Sequence, residues 1–425
     1  MMIALLALSG CRFYQDDGGD TSPPPPLPYG ACDPVILIPS GVLVDSPSPA
    51  DPHQDVFGAE PEPWHIRYQW PSMDPSRSAA FLWRTDVDTL ASQIRIAPTS
   101  AWPAGAETVN GASFLFGSGK VGEGEQRIHE LRLCETLEPA TAYTYQVGGE
   151  GHWSGEIPFT TPGAPGSFDS FRVAFAGDSR GAYDTWEQMV KAMETHAPDF
   201  YVFSGDMVEL GVNQEEWDAW FDAGDAVFGS KAMVPAHGNH EFLAQSYFAQ
   251  FALPGNEEWF AIQYGGLLML TLNDTVRGSE EISVTQAAFI DETLSAHPSR
   301  WKLAQHHQAA YSSSGTHGSK SSVREAWVPL FDKHNVNLVV AGHNHVYERS
   351  VPIFQDSESP TGTTYMVSGG AGAPLYTSQD DQWFNAVFNP IHHYVIADFS
   401  ADQVDVVARD LDGNVIDSFT LKASP

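Results

Sequence analysis

The chain has 425 residues, 42% of them hydrophobic, which is enough for two or three packed cores of roughly 150 residues each. Its 54 acidic side chains against 21 basic ones leave a formal net charge of −33. That balance argues against nucleic acid as a partner, because a phosphate backbone needs basic groups, and it means that any phosphate ligand must be attracted locally.

In chain order, Met1 to Cys11 is apolar but too short to span a membrane. It reads as a signal segment, although a positively charged start is missing. Leu8-Ser9-Gly10-Cys11 resembles a bacterial lipobox, which implies cleavage before Cys11 and a lipid on its sulfur. Asp16 to Ser22 and Pro23 to Pro26 cannot build a core and read as a tether. Residues 1–30 are therefore expected to be the signal and tether of an exported lipoprotein, anchored in a membrane and facing the periplasm or cell surface. With Cys11 lipidated, Cys32 and Cys134 remain as an even pair, for which a disulfide is expected; two separate buried thiols are the alternative.

Residues 31–160 carry short β-rich runs, such as Trp64 to Trp70 and Ala79 to Arg84, punctuated by Gly and Pro. They predict an all-β sandwich. Leu137 to Tyr145 resembles the tyrosine-corner segment of fibronectin type III-like domains. Thr161 to Ser167, rich in Pro and Gly, breaks helix and strand alike and reads as a linker.

Residues 170–422 alternate apolar runs with helical patterns at Asp184 to Met193, Ser283 to Leu294 and Val323 to His334, which implies an α/β domain. Val404 to Leu421 reads as a hairpin turning at Asp412-Gly413-Asn414. Five apolar runs end on ligand-bearing loops. Phe171 to Ala176 leads to Gly177-Asp178-Ser179-Arg180, and Tyr201 to Ser204 leads to Gly205-Asp206-Met207-Val208-Glu209. Ala232 to Ala236 leads to His237-Gly238-Asn239-His240-Glu241, Trp301 to Gln305 to His306-His307, and Val336 to Ala341 to Gly342-His343-Asn344-His345. Ligands of α/β sheets bind at the carboxyl ends of strands, so these loops are expected to meet at one edge.

Their chemistry points to metal. Two ions roughly 3.5–4 Å apart need a bridging carboxylate, for which Asp178 and Asp206 are the candidates. Asn239 offers an amide oxygen, and His307, His343 and His345 offer nitrogen. Mixed oxygen and nitrogen donors suit zinc, iron or manganese rather than calcium. His240 could serve as an acid toward a leaving group.

The ordered set GD, GD, GNHE, H and GHNH resembles the calcineurin-like metallophosphoesterases, and GHNHVYERS is similar to the last block of the purple acid phosphatases. The resemblance implies a metallophosphoesterase β-sandwich flanked by helices, preceded by a fibronectin type III-like sandwich. It also implies two metal ions of the Fe/Zn/Mn type, with Asp178 and His345 on the first, Asp206 bridging, and Asn239, His307 and His343 on the second. His240 takes the place of the catalytic histidine. His307 is preferred to His306 because Tyr311 follows it by four residues, although Ala309 stands where the family has proline.

Two further departures matter more. Arg180 replaces the glycine of the first block and reads as a contact to substrate phosphate or as a salt bridge. Glu209 replaces the tyrosine whose phenolate colours that family; it either supplies a carboxylate to the metal or leaves the position to water. The expectation is a colourless enzyme with divalent ions. His317, in the loop after the fourth block, is a further candidate to hold substrate or donate a proton, with a solvated loop histidine as the alternative. His237, His392 and His393 are expected in supporting roles.

The expected activity is hydrolysis of small-molecule phosphate esters, monoesters favoured, by a metal-activated hydroxide. The alternatives are a phosphodiesterase of nucleotides or phospholipid head groups, and a surface adhesion protein with a degenerate site.

Overall fold

The computed structural model describes Cys32, Leu43–Ser46, 53–275 and 278–423. The expected signal segment, Cys11 and the proline-rich tether lie outside the described residues.

The short runs of the amino-terminal part pair into two antiparallel sheets. One is ordered Leu43–Ser46, Ala112–Gly117, Glu125–Leu133, Ala79–Thr85, Trp64–Gln69; the other is ordered Glu107–Asn110, Gln93–Pro98, Ala142–Gly148, Ile157–Thr160. Inward-facing aromatic residues join them: Phe81 meets Tyr145 with ring centroids 4.5 Å apart, and Tyr68 meets Phe159 at 4.6 Å. The sandwich expected from the β-rich runs is present. The Tyr143 hydroxyl accepts the Glu138 N–H at 2.9 Å, which pins the corner between Leu137 and Tyr145. Cys32 and Cys134 are disulfide-bonded, with Cα atoms 5.2 Å apart.

Two further sheets carry the second part. A six-stranded sheet is ordered Met233–Pro235, Phe200–Phe203, Phe171–Ala176, His393–Phe399, Gln403–Asp410, Val415–Lys422. A seven-stranded sheet is ordered Phe260–Tyr264, Leu267–Thr271, Trp301–Gln308, Leu338–Gly342, Thr364–Ser368, Tyr347–Ser350, Asn385–Asn389. The ligand-bearing strands pair in parallel within each sheet. Their carboxyl ends therefore point the same way. One core fills the space between the sheets, uniting Phe175 and Val202 with Met269, Leu303 and Val340. Gln305 donates across it to the Val234 carbonyl at 3.0 Å.

Helices cover the outer faces. Tyr183–Glu194 buries Trp186, Met189, Val190 and Met193, which recur at helical spacing. Ala287–Ala296 and Ser321–His334 pack Ile290, Leu294, Trp327 and Phe331 against Leu268, Leu270, Ala304 and Val339. The carboxyl-terminal hairpin turns where expected: Gly413 adopts φ +83° and donates to the Asp410 carbonyl at 3.0 Å.

The sandwich docks on the second part through polar side chains that it buries there. Arg84 pairs with Asp218, and His65 Nε2 lies 2.7 Å from Asp222. Arg67 donates to Gln250 at 3.0 Å, and Arg132 reaches Glu257 at 3.4 Å. The Asp218 and Asp222 partners stand on one helix, Gln214–Asp222.

Candidate metal centre

Each ligand-bearing loop turns sharply off its strand. Asp178, Asp206 and His343 adopt left-handed φ of +61°, +56° and +65°, which costs about 1–3 kcal/mol apiece and persists only where the surroundings over-determine it. The surroundings here are backbone. Both Asp178 oxygens accept the His343 N–H, at 3.0 and 2.9 Å, and Asp206 Oδ1 accepts the His240 N–H at 2.9 Å. Gly342 is required by close approach, since a Cβ there would stand 2.4 Å from Asp178 Oδ2.

Glu241 ties two of the loops together. Its buried carboxylate accepts the N–H groups of Asp206 (2.9 Å), Met207 (2.8 Å) and Gly238 (2.7 Å). Burial, reinforced by the Asp206 charge, pushes it up to about 7. Sequence reasoning gave Glu241 no role, although it stands inside the third block.

Three imidazoles are locked in the same manner. Nδ1 of His307 donates to the Ser204 carbonyl, Nδ1 of His345 to Pro374, and Nδ1 of His240 to Glu209, each at 2.7 Å. Each Nε2 is thereby left with its lone pair free. His307 Nε2 faces Asp206 Oδ2 at 3.3 Å and Asn239 Oδ1 at 3.1 Å, while His345 Nε2 faces Asp178 Oδ1 at 3.5 Å. Two clusters of acceptors result, Asp206 with His307 and His343, and Asp178 with Asp206 and His345. Asp206 is common to both.

These acceptors need a cation between them. Burial alone would lower His307, yet Asp206 beside it raises it to about 10, because positive charge is favoured where these acceptors converge. Burial pushes Asp178 well above the usual carboxylate range, and pushes His343 down to about 2 and His345 down to about 4. Carboxylate oxygens and imidazole nitrogens converging in a buried site fit divalent metal ions of the zinc, iron or manganese type.

His306 does not join them. The strand Trp301–Gln308 runs on through both histidines, and between Gln305 and Gln308 its register with Leu338–Gly342 shifts by a bulge. Strand alternation separates the pair: His307 follows Trp301, Leu303 and Gln305 onto the face between the sheets and the acceptor clusters, while His306 follows Ala304 onto the helix-covered face, beside Trp327 and 2.9 Å from Asp274.

Glu209 lies outside both clusters. Its half-exposed carboxylate pairs with Arg180 Nη1, and Oε1 stands 3.7 Å from His240 Nδ1. Arg180 is mostly buried, with Nε 3.6 Å from Asp206 Oδ2, and among the described residues that N–H has no hydrogen-bond acceptor. His317 lies over the site, its ring centroid 4.3 Å from that of His343 and its Nε2 3.4 Å from the Tyr376 hydroxyl. Tyr376 stacks on His345 at 4.2 Å. Nothing in the sequence marked Tyr376, which stands in a loop without a recognisable pattern.

The remaining motif residues form a scaffold. Glu348 accepts from Ser312 and Ser313, both at 2.7 Å, and so fixes the loop that carries His317. Arg349 and Tyr347 share Asp417, at 2.6 and 2.8 Å. His237 is buried and accepts the Leu243 N–H at 2.8 Å; His393 spans Ile391 and Ser368.

Residues 171–347 match the calcineurin-like phosphoesterase family, and residues 63–161 match the purple acid phosphatase N-terminal domain. An uncharacterized protein of Mycobacterium tuberculosis is 27% identical over 259 residues, covering 49% of this chain and 47% of that protein. Purple acid phosphatase 21 of Arabidopsis thaliana is 26% identical over 285 residues, covering 63% of this chain and 61% of that one. The chain thus spans about half to three-fifths of the length of these relatives. The structure of purple acid phosphatase PPD1 from yellow lupin seeds superposes with a TM-score of 0.75 at 20% identity, covering 85% of this chain and 74% of that one. That likeness shows the fold.

Proposed function

We propose, from the match of residues 171–347 to the calcineurin-like phosphoesterases and of residues 63–161 to the purple acid phosphatase N-terminal domain, that the chain hydrolyses phosphate esters at a two-metal centre, monoesters before diesters. The observation that carries this reading is the pair of acceptor clusters sharing Asp206. Asp178 and His345 would hold one ion, Asn239, His307 and His343 the other, and Asp206 both. When bound, two such ions lower the pKa of a shared water and neutralise charge on a phosphoryl group.

The chain supplies the rest. His240, its ring fixed by the Glu209 carbonyl, presents Nε2 to the departing alcohol and, as the imidazolium, donates a proton from it. Arg180 offers its unaccepted Nε–H to a phosphoryl oxygen, and His317 and Tyr376 line the same mouth. A monoester presents a dianionic phosphoryl group with three unesterified oxygens, which uses this donor set more fully than a diester does. In a chain of net charge −33, the local guanidinium also matters for attraction.

Chromogenic monoester and diester substrates, after reconstitution with each of zinc, manganese and iron, test the reading. A larger kcat/KM for the monoester is expected. A larger value for the diester would turn the assignment to phosphodiesterase. Less than one metal per chain with no hydrolysis would favour the adhesion protein.

Export and anchoring through Cys11 complete the proposal. They are supported by the lipobox-like Leu8 to Cys11 and by the Cys32–Cys134 disulfide, a bond that persists in oxidising compartments. Cys11→Ala should move the protein from the membrane fraction to the soluble one.

A further inference from the structure

The fold holds an aromatic ring in water beside His240. Phe242 is 59% exposed, and its ring centroid lies 6.0 Å from that of His240. Its backbone is in the left-handed region at φ +53°, as is that of Leu243, also at +53°. Two consecutive side-chain-bearing residues there are strained and persist only where neighbours enforce them. The neighbours can be named. Leu243 donates its N–H to His237 at 2.8 Å and packs its side chain on the main core, while Ala244 donates to the Glu241 carbonyl at 2.8 Å. Glu241 is itself anchored by the Asp206 loop. The turn is thus fixed on both sides, and the side chain between its anchors is presented outward.

A second apolar group accompanies it. Leu210, 40% exposed, follows Glu209, whose carbonyl holds the His240 ring. Gly211 donates to the His240 carbonyl at 2.9 Å, and a Cβ there would stand 2.1 Å from the Glu241 carbonyl oxygen, so the two segments run backbone to backbone. Charged groups also adjoin His240: Glu209 Oε1 stands 3.7 Å from its Nδ1 and pairs with Arg180. Charged and apolar groups thus meet at the histidine.

We infer that Phe242, flanked by Leu210, is a shelf for the alcohol side of the ester, so that the site prefers phosphate esters whose alcohol carries a flat aromatic or apolar group. This rests on the phosphoesterase reading and on His240 facing the leaving group. Covering an exposed ring gives binding energy to such esters and none to small polar ones.

The test compares kcat/KM for 1-naphthyl phosphate and ethyl phosphate with the full, metal-loaded chain and with the variants Phe242→Gly and Phe242→Tyr. Glycine suits the left-handed backbone, so loss of the ring is not confounded by added strain. Competitive inhibition by inorganic phosphate reports that each variant retains an intact site. The naphthyl-to-ethyl ratio should fall about tenfold in Phe242→Gly and be largely retained in Phe242→Tyr. An unchanged ratio, with both esters still hydrolysed, overturns the shelf and leaves the phosphoesterase reading standing. Hydrolysis of neither ester by the native chain overturns both.

Discussion

Arg180 and Glu209 are ion-paired at the mouth of the site, although 29 residues separate them and they stand on different loops. They are also two of the positions at which the chain departs from the blocks it otherwise resembles. The two departures meet in one contact: a guanidinium where a glycine is usual, and a carboxylate in place of a phenol to receive it. The pair leaves Arg180 Nε–H unaccepted and 3.6 Å from Asp206.

If that N–H meets substrate phosphate, the two partners are unequal. Arg180→Ala should lower kcat/KM for a monoester by about 10- to 100-fold, the value of a charge-assisted hydrogen bond. Glu209→Gln, which leaves the guanidinium in place, should cost at most about threefold. Steady-state kinetics of both variants and the double variant check this. Equal losses in all three would mean that the pair only supports the loop.

Asp206 is the acceptor common to both clusters, so its loss should empty both. Elemental analysis of the purified chain is expected to give about two ions per molecule, near none for Asp206→Ala, and about one for His345→Ala. Activity should vanish in the first variant. One ion retained by Asp206→Ala would show that Asp206 serves a single ion.

How much of this was legible from the sequence depends on distance along the chain. Asp178, Asp206, Asn239 and the His343–His345 pair each follow their strand within a few residues, and parallel pairing brings such ends together. The choice between His306 and His307 follows from strand alternation: His307 shares the inter-sheet face with Trp301, Leu303 and Gln305, and His306 shares the opposite face with Ala304. Glu209 offered itself as a ligand by position, but Arg180 takes its carboxylate, and a pairing across loops is not written in either segment. Tyr376 arrives from a loop defined only by what it packs on. The side chains of Arg67, Arg84 and Arg132 are buried against the second part, a placement that the strand pattern around them does not encode.

Colour gives a third prediction. Glu209 stands where a phenolate would be expected, and the phenol that the structure does bring in is Tyr376. Its ring lies flat on His345, and its hydroxyl stands 3.4 Å from His317 Nε2. With a carboxylate at the position of the phenolate, the native protein should show no ferric–phenolate band in visible absorption. A band that disappears in Tyr376→Phe would identify that residue as a ligand and reverse the expectation.

The interface between the sandwich and the second part should respond to pH through Glu257. Arg132 lies between two buried carboxylates, 2.5 Å from Glu130 and 3.4 Å from Glu257, and all three side chains are at most 3% exposed. One guanidinium cannot fully compensate both. Burial pushes Glu257 up to about 8, with Arg132 pulling it down and Glu130 pushing it up. In the unfolded chain the group titrates near 4.5, so between these values the folded state binds more protons than the unfolded one. The stability contributed by the protonated form is fully present below the unfolded value and is lost as pH rises through the folded one. Glu257→Gln carries no such term. Its melting temperature relative to the native chain should therefore climb between about pH 5 and about pH 8.5, as read by circular dichroism at constant ionic strength. A difference that stays flat across that range would mean that Glu257 is ionised throughout, and that Arg132 holds both carboxylates as charges.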